Sequence, residues 1–87
     1  MTSRARRSFW VTFDALPQHI QRVARDKFRL WHREPFHPSL HFKELRKDIW
    51  SARVTDSYRA LALRDGELIV WFWIGTHEQY ERLIAGG

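Results

Sequence analysis

The stretch Ile49–Gly75, IWSARVTDSYRALALRDGELIVWFWIG, decides the fold. It holds three runs rich in apolar residues, broken by Thr55–Asp56–Ser57 and by Asp65–Gly66. Such runs bounded by turn residues read as strands. The sequence therefore predicts strands over Ile49–Thr55, Tyr58–Arg64 and Glu67–Gly75, joined as successive hairpins. Asp-Gly between two apolar runs favours a two-residue type I′ loop. That loop pairs Arg64 with Glu67, Ala62 with Ile69, Ala60 with Trp71 and Tyr58 with Trp73. Small residues then oppose large ones on one face, as dense packing requires. The last run is apolar on both faces, so it is expected to be central and covered on both sides. Trp71 and Trp73 are expected in its core.

The first hairpin admits two registers. A three-residue loop, Thr55–Ser57, pairs Val54 with Tyr58 and Ala52 with Ala60. It keeps Trp50, Ala52 and Val54 on the apolar face and sets Arg53 directly opposite Arg59. A two-residue loop puts the two arginines on opposite faces, because a one-residue slip inverts every side chain. The first register is preferred, since it keeps one face apolar throughout. Like charges across a ladder repel. An arginine pair there is accounted for by an anion in the gap, since the guanidinium fork matches phosphate. The plainer alternative is that each reaches a separate acid or solvent, with Asp56 and Glu78 as candidate acids. His77 follows the last strand and can fold back toward the pair.

Upstream, Ser8–Phe13 carries aromatic and β-branched residues and reads as a first strand. Asp14 is a possible helix cap, and Pro17 suits a first helical turn. Ile20, Val23, Ala24, Phe28 and Trp31 recur at helical spacing. They predict a helix to about His32 that ends before Pro35 and Pro38. Glu34–Ser39 reads as a loop, and His41–Leu45 as a short helical turn or irregular chain. His77–Ala85 reads as a terminal helix capped by Thr76. Met1–Arg7 reads as a loose, flexible basic arm. Lys43, Arg46 and Lys47 form either a solvated face or a nucleic-acid contact. His37 and His41 lie four apart, but Pro38 argues against a helix there and no carboxylate completes a set. No metal site is expected.

At 87 residues the chain is expected to form one small domain, residues 1–87, with a thin core. Five Trp, six Phe and two Tyr enlarge that core. The absence of Cys excludes disulfides and thiolate metal sites and fits a reducing cytoplasm. No apolar run approaches the roughly 18 residues a membrane span needs. The formal charge is +5 and the pI about 10.4. Such a balance suits polyanionic partners, or serves solubility alone.

The run HPSLHFKEL…IWSARVTDSYRALALRDGELIVWFWIGTHEQYERL, with the helix start at Leu16–Pro17, resembles the RelE/ParE superfamily of bacterial toxins from toxin–antitoxin pairs. The most specific parts are Ser57–Tyr58–Arg59 after an arginine-bearing strand, and His77 at a strand–helix junction. The resemblance implies an α+β fold. A four-stranded, mainly antiparallel twisted sheet carries an N-terminal helix or helical hairpin and a short C-terminal helix. It implies a cofactor-free, metal-independent endoribonuclease that cleaves mRNA, usually on the ribosome, and inhibits translation in the cytoplasm. It also implies neutralisation by a cognate antitoxin. The alternatives it leaves are a ParE-type member that inhibits DNA gyrase without catalysis, or a degenerate member that retains only antitoxin or DNA binding.

Residue by residue, Arg59 is similar to the family's catalytic arginine and Arg53 to a basic residue on the preceding strand. His77 stands where many members have His or Arg. Tyr80 is similar to a tyrosine that follows, though it comes earlier than the usual spacing. Ser51 stands where some members carry lysine, and no residue clearly matches the acidic base of one subgroup. Ser51, Lys43, Arg46 and Lys47 are the expected RNA contacts. Metal-free cleavage needs a base for the 2′-hydroxyl, an acid for the leaving 5′-oxygen, and cations for the transition state; the product is a cyclic phosphate. His77 suits the proton transfers, Arg59 and Arg53 the charge. Tyr80 suits stacking or phosphate orientation.

Overall fold

The computed structural model describes residues 1–86. Five strands form one sheet: β1 (Thr2–Ala5), β2 (Lys43–Arg46), β3 (Ile49–Thr55), β4 (Tyr58–Asp65) and β5 (Leu68–Thr76). Their order across the sheet is β1-β5-β4-β3-β2. β1 runs parallel to β5, and the other neighbours are antiparallel. Helices α1 (Arg7–Asp14) and α2 (Gln18–Arg33) form a hairpin, and α3 (His77–Gly86) follows β5 directly. Among the described residues no helix is long and apolar enough to cross a membrane.

The sheet is thus five-stranded and mixed rather than four-stranded. Met1–Arg7 is no loose arm, since Thr2–Ala5 pairs in register with Leu68–Trp71. His41–Leu45 is neither a helical turn nor irregular throughout, because Lys43–Arg46 is the opposite edge strand. Ser8–Phe13, expected as a strand, is helical. Phe9 and Phe13, four apart, both face the core and are 2% exposed. The stronger reason lies in β5. β1 ends opposite Trp71, which leaves the next stretch of that edge without a strand. The hydroxyl of Ser8 donates to Phe72 O (2.9 Å), and Thr12 Oγ1 accepts from Ile74 N (3.1 Å). α1 therefore satisfies backbone groups that would otherwise be orphaned. Asp14 ends α1 rather than capping the next helix. Gln21 caps that end instead, donating to Phe13 O and Leu16 O at 3.2 Å each.

The core lies between the helical hairpin and one face of the sheet. Trp31 and Trp71 meet edge to face, with ring centroids 5.4 Å apart. Ala24, Ala60 and Ala62 are completely buried among the rings. The opposite face lies under α3, which Arg46 ties across the sheet by donating to Ile84 O (2.6 Å). β5 is therefore an interior strand covered on both faces, as expected, although the middle strand of the sheet is β4. Thr76 caps α3, accepting from Gln79 N at 3.1 Å, while Gln79 Oε1 accepts from Thr76 N at 2.9 Å. This reciprocal pair is a capping box.

The β4–β5 register departs from expectation. Asp65 pairs with Leu68, so the loop is Gly66–Glu67. Gly66 has φ +61 while Glu67 is not among the positive-φ residues. That fits type II′ rather than I′. Ala62 faces Trp71, but Leu61 faces Trp73. Phe72 is an extra, bulged residue, and beyond it the alternation inverts. Trp71 stays in the core at 3% exposure. Trp73 turns to the α3 face, where its ring lies over Gly75. A Cβ at Gly75 would overlap the Trp73 ring and lie 2.6 Å from Gln79 Oε1. Gly75→Ala is therefore expected to destabilise the protein by about 1–3 kcal/mol, read as a lower urea midpoint.

Candidate active site

The first hairpin combines the two registers weighed from sequence. Thr55 pairs with Tyr58, leaving a two-residue loop, yet Arg53 pairs with Arg59 and Ala52 with Ala60. A bulge at Val54 reconciles them. The extra residue restores the parity that a two-residue loop alone would invert. Arg53 and Arg59 thus lie side by side on the sheet face under α3. Ser51 and Leu61, cross-strand partners, share that face.

The two guanidiniums are held differently. Arg53 forms an ion pair with Asp56 in the turn, one of the plainer outcomes weighed for it. Arg59 Nη1 donates to Thr55 O (2.6 Å) and Tyr58 O (3.0 Å), with a weaker contact to Asp56 O (3.4 Å). These bonds brace the turn and aim the guanidinium. Partial burial, and then the charge of Arg53, hold the Arg59 pKa below its ordinary value. Tyr80 and Glu81 of α3 act in the opposite direction. Arg59 is still a cation at any physiological pH, but one destabilised by its neighbour. A bound anion would relieve that conflict.

His77 opens α3 beside the same turn. Its backbone N–H donates to Ser57 O (2.7 Å), which ties the helix start to the β3–β4 loop. Its Nε2 lies 3.2 Å from Glu81 Oε1, one turn on. A shallow cleft of about 430 Å³ lies here, lined by Asp56, Ser57, Tyr58, Thr76, His77 and Glu78. The arginines do not line it. They adjoin it through Asp56, which pairs with Arg53, and Tyr58, whose carbonyl accepts from Arg59.

Of the residues singled out from sequence, Arg53, Arg59, His77 and Tyr80 come together. Tyr80 is only 6% exposed, so it offers no free face to a stacked base. Its ring centroid lies 5.6 Å from that of His77. Ser51 sits on the arginine face but is 3% exposed, out of reach of a ligand. Lys43, opposite Ser51, is exposed on the edge strand. Arg46 holds the end of α3. Lys47 lies in the β2–β3 turn, at the far end of β3 from Arg53. His37 spends its Nδ1 on Ser39, accepting from the backbone N–H at 3.2 Å. Glu81 was not singled out. The His77–Glu81 spacing, four residues apart on a helix, is the signal that could have found it.

The arginine pair makes a testable prediction. Arg53→Gln removes a cross-strand repulsion at the expense of one ion pair to an exposed acid. It is expected to stabilise the protein at low salt by roughly 0.2–1 kcal/mol. Inorganic phosphate should then raise the melting temperature of the unsubstituted protein more than that of the variant. Equal shifts would reject an anion held between the two guanidiniums.

Comparison with known proteins agrees with this architecture. A family model described as a ParE-like toxin domain matches residues 18–82. The toxin–antitoxin complex RelBE2 from Mycobacterium tuberculosis contains a chain 26% identical, with a TM-score of 0.70, over 87% of this chain and 96% of that one. The YoeB/ParE toxin from Agrobacterium tumefaciens is 19% identical, with a TM-score of 0.67, over 88% and 99%. The RelB–RelE complex from Methanococcus jannaschii superposes with a TM-score of 0.73 at 12% identity, over 91% and 95%. The search of curated proteins returns no match. The family model covers α2, all the antiparallel strands and most of α3, the elements that build the arginine face, and the chain belongs to the ParE-like toxin family within the RelE/ParE superfamily.

Proposed function

We propose that this toxin-family chain acts as a metal-independent endoribonuclease whose action on mRNA inhibits translation, and that a cognate antitoxin neutralises it. The observation that carries the reading is the Arg53–Arg59 pair beside a half-exposed imidazole. Two adjacent cations with their charges opposed on a sheet suit an anionic, transient occupant. An imidazole beside the same turn suits proton transfer.

The chemistry follows from these groups. The phosphodiester seats against Arg59 and Arg53. His77 takes the proton of the adjacent 2′-hydroxyl. O2′ attacks phosphorus, and the P–O5′ bond breaks. The imidazolium returns its proton to O5′, leaving a cyclic phosphate and a free 5′-hydroxyl. The guanidiniums carry the added negative charge of the phosphorane-like transition state, a contribution of about 3 kcal/mol per donor. Glu81 fixes the His77 ring, and Tyr80 backs both His77 and Arg59. The requirement for a 2′-hydroxyl selects RNA over DNA.

A second reading has its own support. The matched family model is ParE-like, and no lysine accompanies Arg53 on β3. Under that reading the same cationic face binds a protein target, DNA gyrase, without catalysis. Primer extension on mRNA, with and without ribosomes, distinguishes the two, alongside a supercoiling assay with gyrase. The ribonuclease reading expects discrete mRNA ends and unimpaired supercoiling. Inhibited supercoiling with intact mRNA would replace it with the gyrase reading. Within the first reading, Arg59→Ala should lower cleavage by about 10²–10³-fold in a protein that still melts cooperatively. His77→Ala should lower cleavage by about 10²–10⁴-fold with little change in RNA affinity. Parallel losses of cleavage and affinity would make His77 a binding group instead.

A further inference from the structure

On the helical side of the sheet, away from the arginine pair, β1, α1 and α2 border a cavity of about 320 Å³. Phe9, Phe13 and Phe28 give it an aromatic floor, and Trp10 forms a wall. The Trp10 indole packs at a steep angle on Phe9 and Phe13, with ring centroids 5.2 and 5.4 Å away. Those contacts fix the ring while leaving 45% of the residue exposed. A rigid, half-bare indole beside an aromatic floor is a stacking platform for one flat ring.

The rim is cationic. Arg25 and Arg29 stand one turn apart on α2, and Arg4 adds a third guanidinium from β1. The Arg25 guanidinium lies over the Phe13 ring, 4.9 Å from its centroid, which places it above the floor. Arg29 engages the exposed Asp26 at 2.8 Å. Among the described residues no carboxylate lines the cavity, and neither Arg4 nor Arg25 pairs with an acid. Three like charges around one small apolar floor repel one another, and an anion placed among them relieves that cost.

We propose that this cavity binds a purine mononucleotide, with the base stacked beside Trp10 and the phosphate held among Arg4, Arg25 and Arg29. The inference is independent of the ribonuclease reading, because the arginine pair that carries that reading lies on the other face of the sheet. Size selects a single nucleotide: about 320 Å³ stands at the small end of the range for ligand pockets. A strand of nucleic acid needs successive stacking faces, and Trp10 offers one. Charge selects a phosphate over a carboxylate. A phosphate monoester carries a charge of about −1.5 to −2 and three acceptor oxygens at neutral pH, which suits several guanidinium forks at once. The fused rings of a purine cover more of an indole than a single ring does.

The test titrates the full chain with adenosine 5′-monophosphate, adenosine, ribose 5-phosphate and indole-3-acetate. Calorimetry gives the affinities, and the Trp10 indole N–H signal in NMR gives the place. Trp10→Leu removes the stacking face but keeps an apolar residue, and Arg25→Gln with Arg29→Gln removes two charges but keeps the stems. Each variant is first shown to melt cooperatively. The monophosphate should bind, shift the Trp10 signal and exceed the other three probes in affinity. Its affinity should fall about tenfold in Trp10→Leu, the loss of one stack, and by at least as much in the double arginine variant, the loss of charge-assisted hydrogen bonds. Arg59→Ala, on the other face, should leave it unchanged. No binding of the monophosphate would overturn the proposal. Equal affinity for adenosine or for ribose 5-phosphate would overturn it by showing that the rim or the floor takes no part. Equal affinity for indole-3-acetate would make the cavity a site for aromatic carboxylates instead. Loss of binding in Arg59→Ala with full affinity in Trp10→Leu would move the nucleotide to the arginine pair and overturn the assignment.

Discussion

Two one-residue bulges, at Val54 and at Phe72, set which side chains reach which face of the sheet. A β-strand alternates strictly, so a single extra residue exchanges the faces of everything beyond it. The Val54 bulge lets a tight two-residue turn coexist with Arg53 opposite Arg59. The Phe72 bulge leaves Trp71 in the helix-side core and moves Trp73 to the α3 side. There its ring lies over Gly75, the cross-strand partner of Arg59. Remove either bulge and the arginines, Trp73 and α3 no longer meet on one surface.

This arrangement runs against stability in two places. Two guanidiniums lie side by side where one would pack more comfortably. Among the described residues, three indole N–H groups, on Trp31, Trp50 and Trp71, are buried without an acceptor, and each such group costs about 1–3 kcal/mol. The indoles are the consequence of filling a thin core with very large rings, whose buried area offsets the lost hydrogen bonds. The arginines have no such packing reason. Arg53 could be neutral without opening a cavity, and Arg59 brings its charge into a partly buried site. Unfavourable placement that packing does not require is the usual mark of function.

Much of this was legible in the residues. The three strands of Ile49–Gly75, the Thr76 cap, the helix under Ile20–Trp31 and the arginine pair all follow from local patterns of turns and periodicity. What was not legible depends on partners far along the chain. Ser8–Phe13 has the composition of a strand, and becomes a helix because its hydroxyls satisfy the β5 edge more than 60 residues away. Thr2–Ala5 is a strand only because β5 offers it a partner. The Phe72 bulge leaves no local mark, since the run is apolar throughout and either register buries rings. In the site, Arg59 and His77 stood out by residue type. Glu81 did not, although its place one helical turn after His77 was there to be read. The positive charges split by geometry: Arg46 ties down α3, while Lys47 lies at the other end of β3.

The proposed cleavage requires Arg53, Arg59 and His77 to share one phosphodiester. The most direct measurement is a heteronuclear NMR titration with a 2′-O-methyl dinucleotide, which presents the phosphodiester but lacks the attacking hydroxyl. The Nε–Hε signals of both arginines and the imidazole signals of His77 should shift together along one saturation curve, and a matching neutral dinucleoside should leave them unmoved. Shifts confined to other residues, or separate curves for the arginines and the histidine, would contradict a common site.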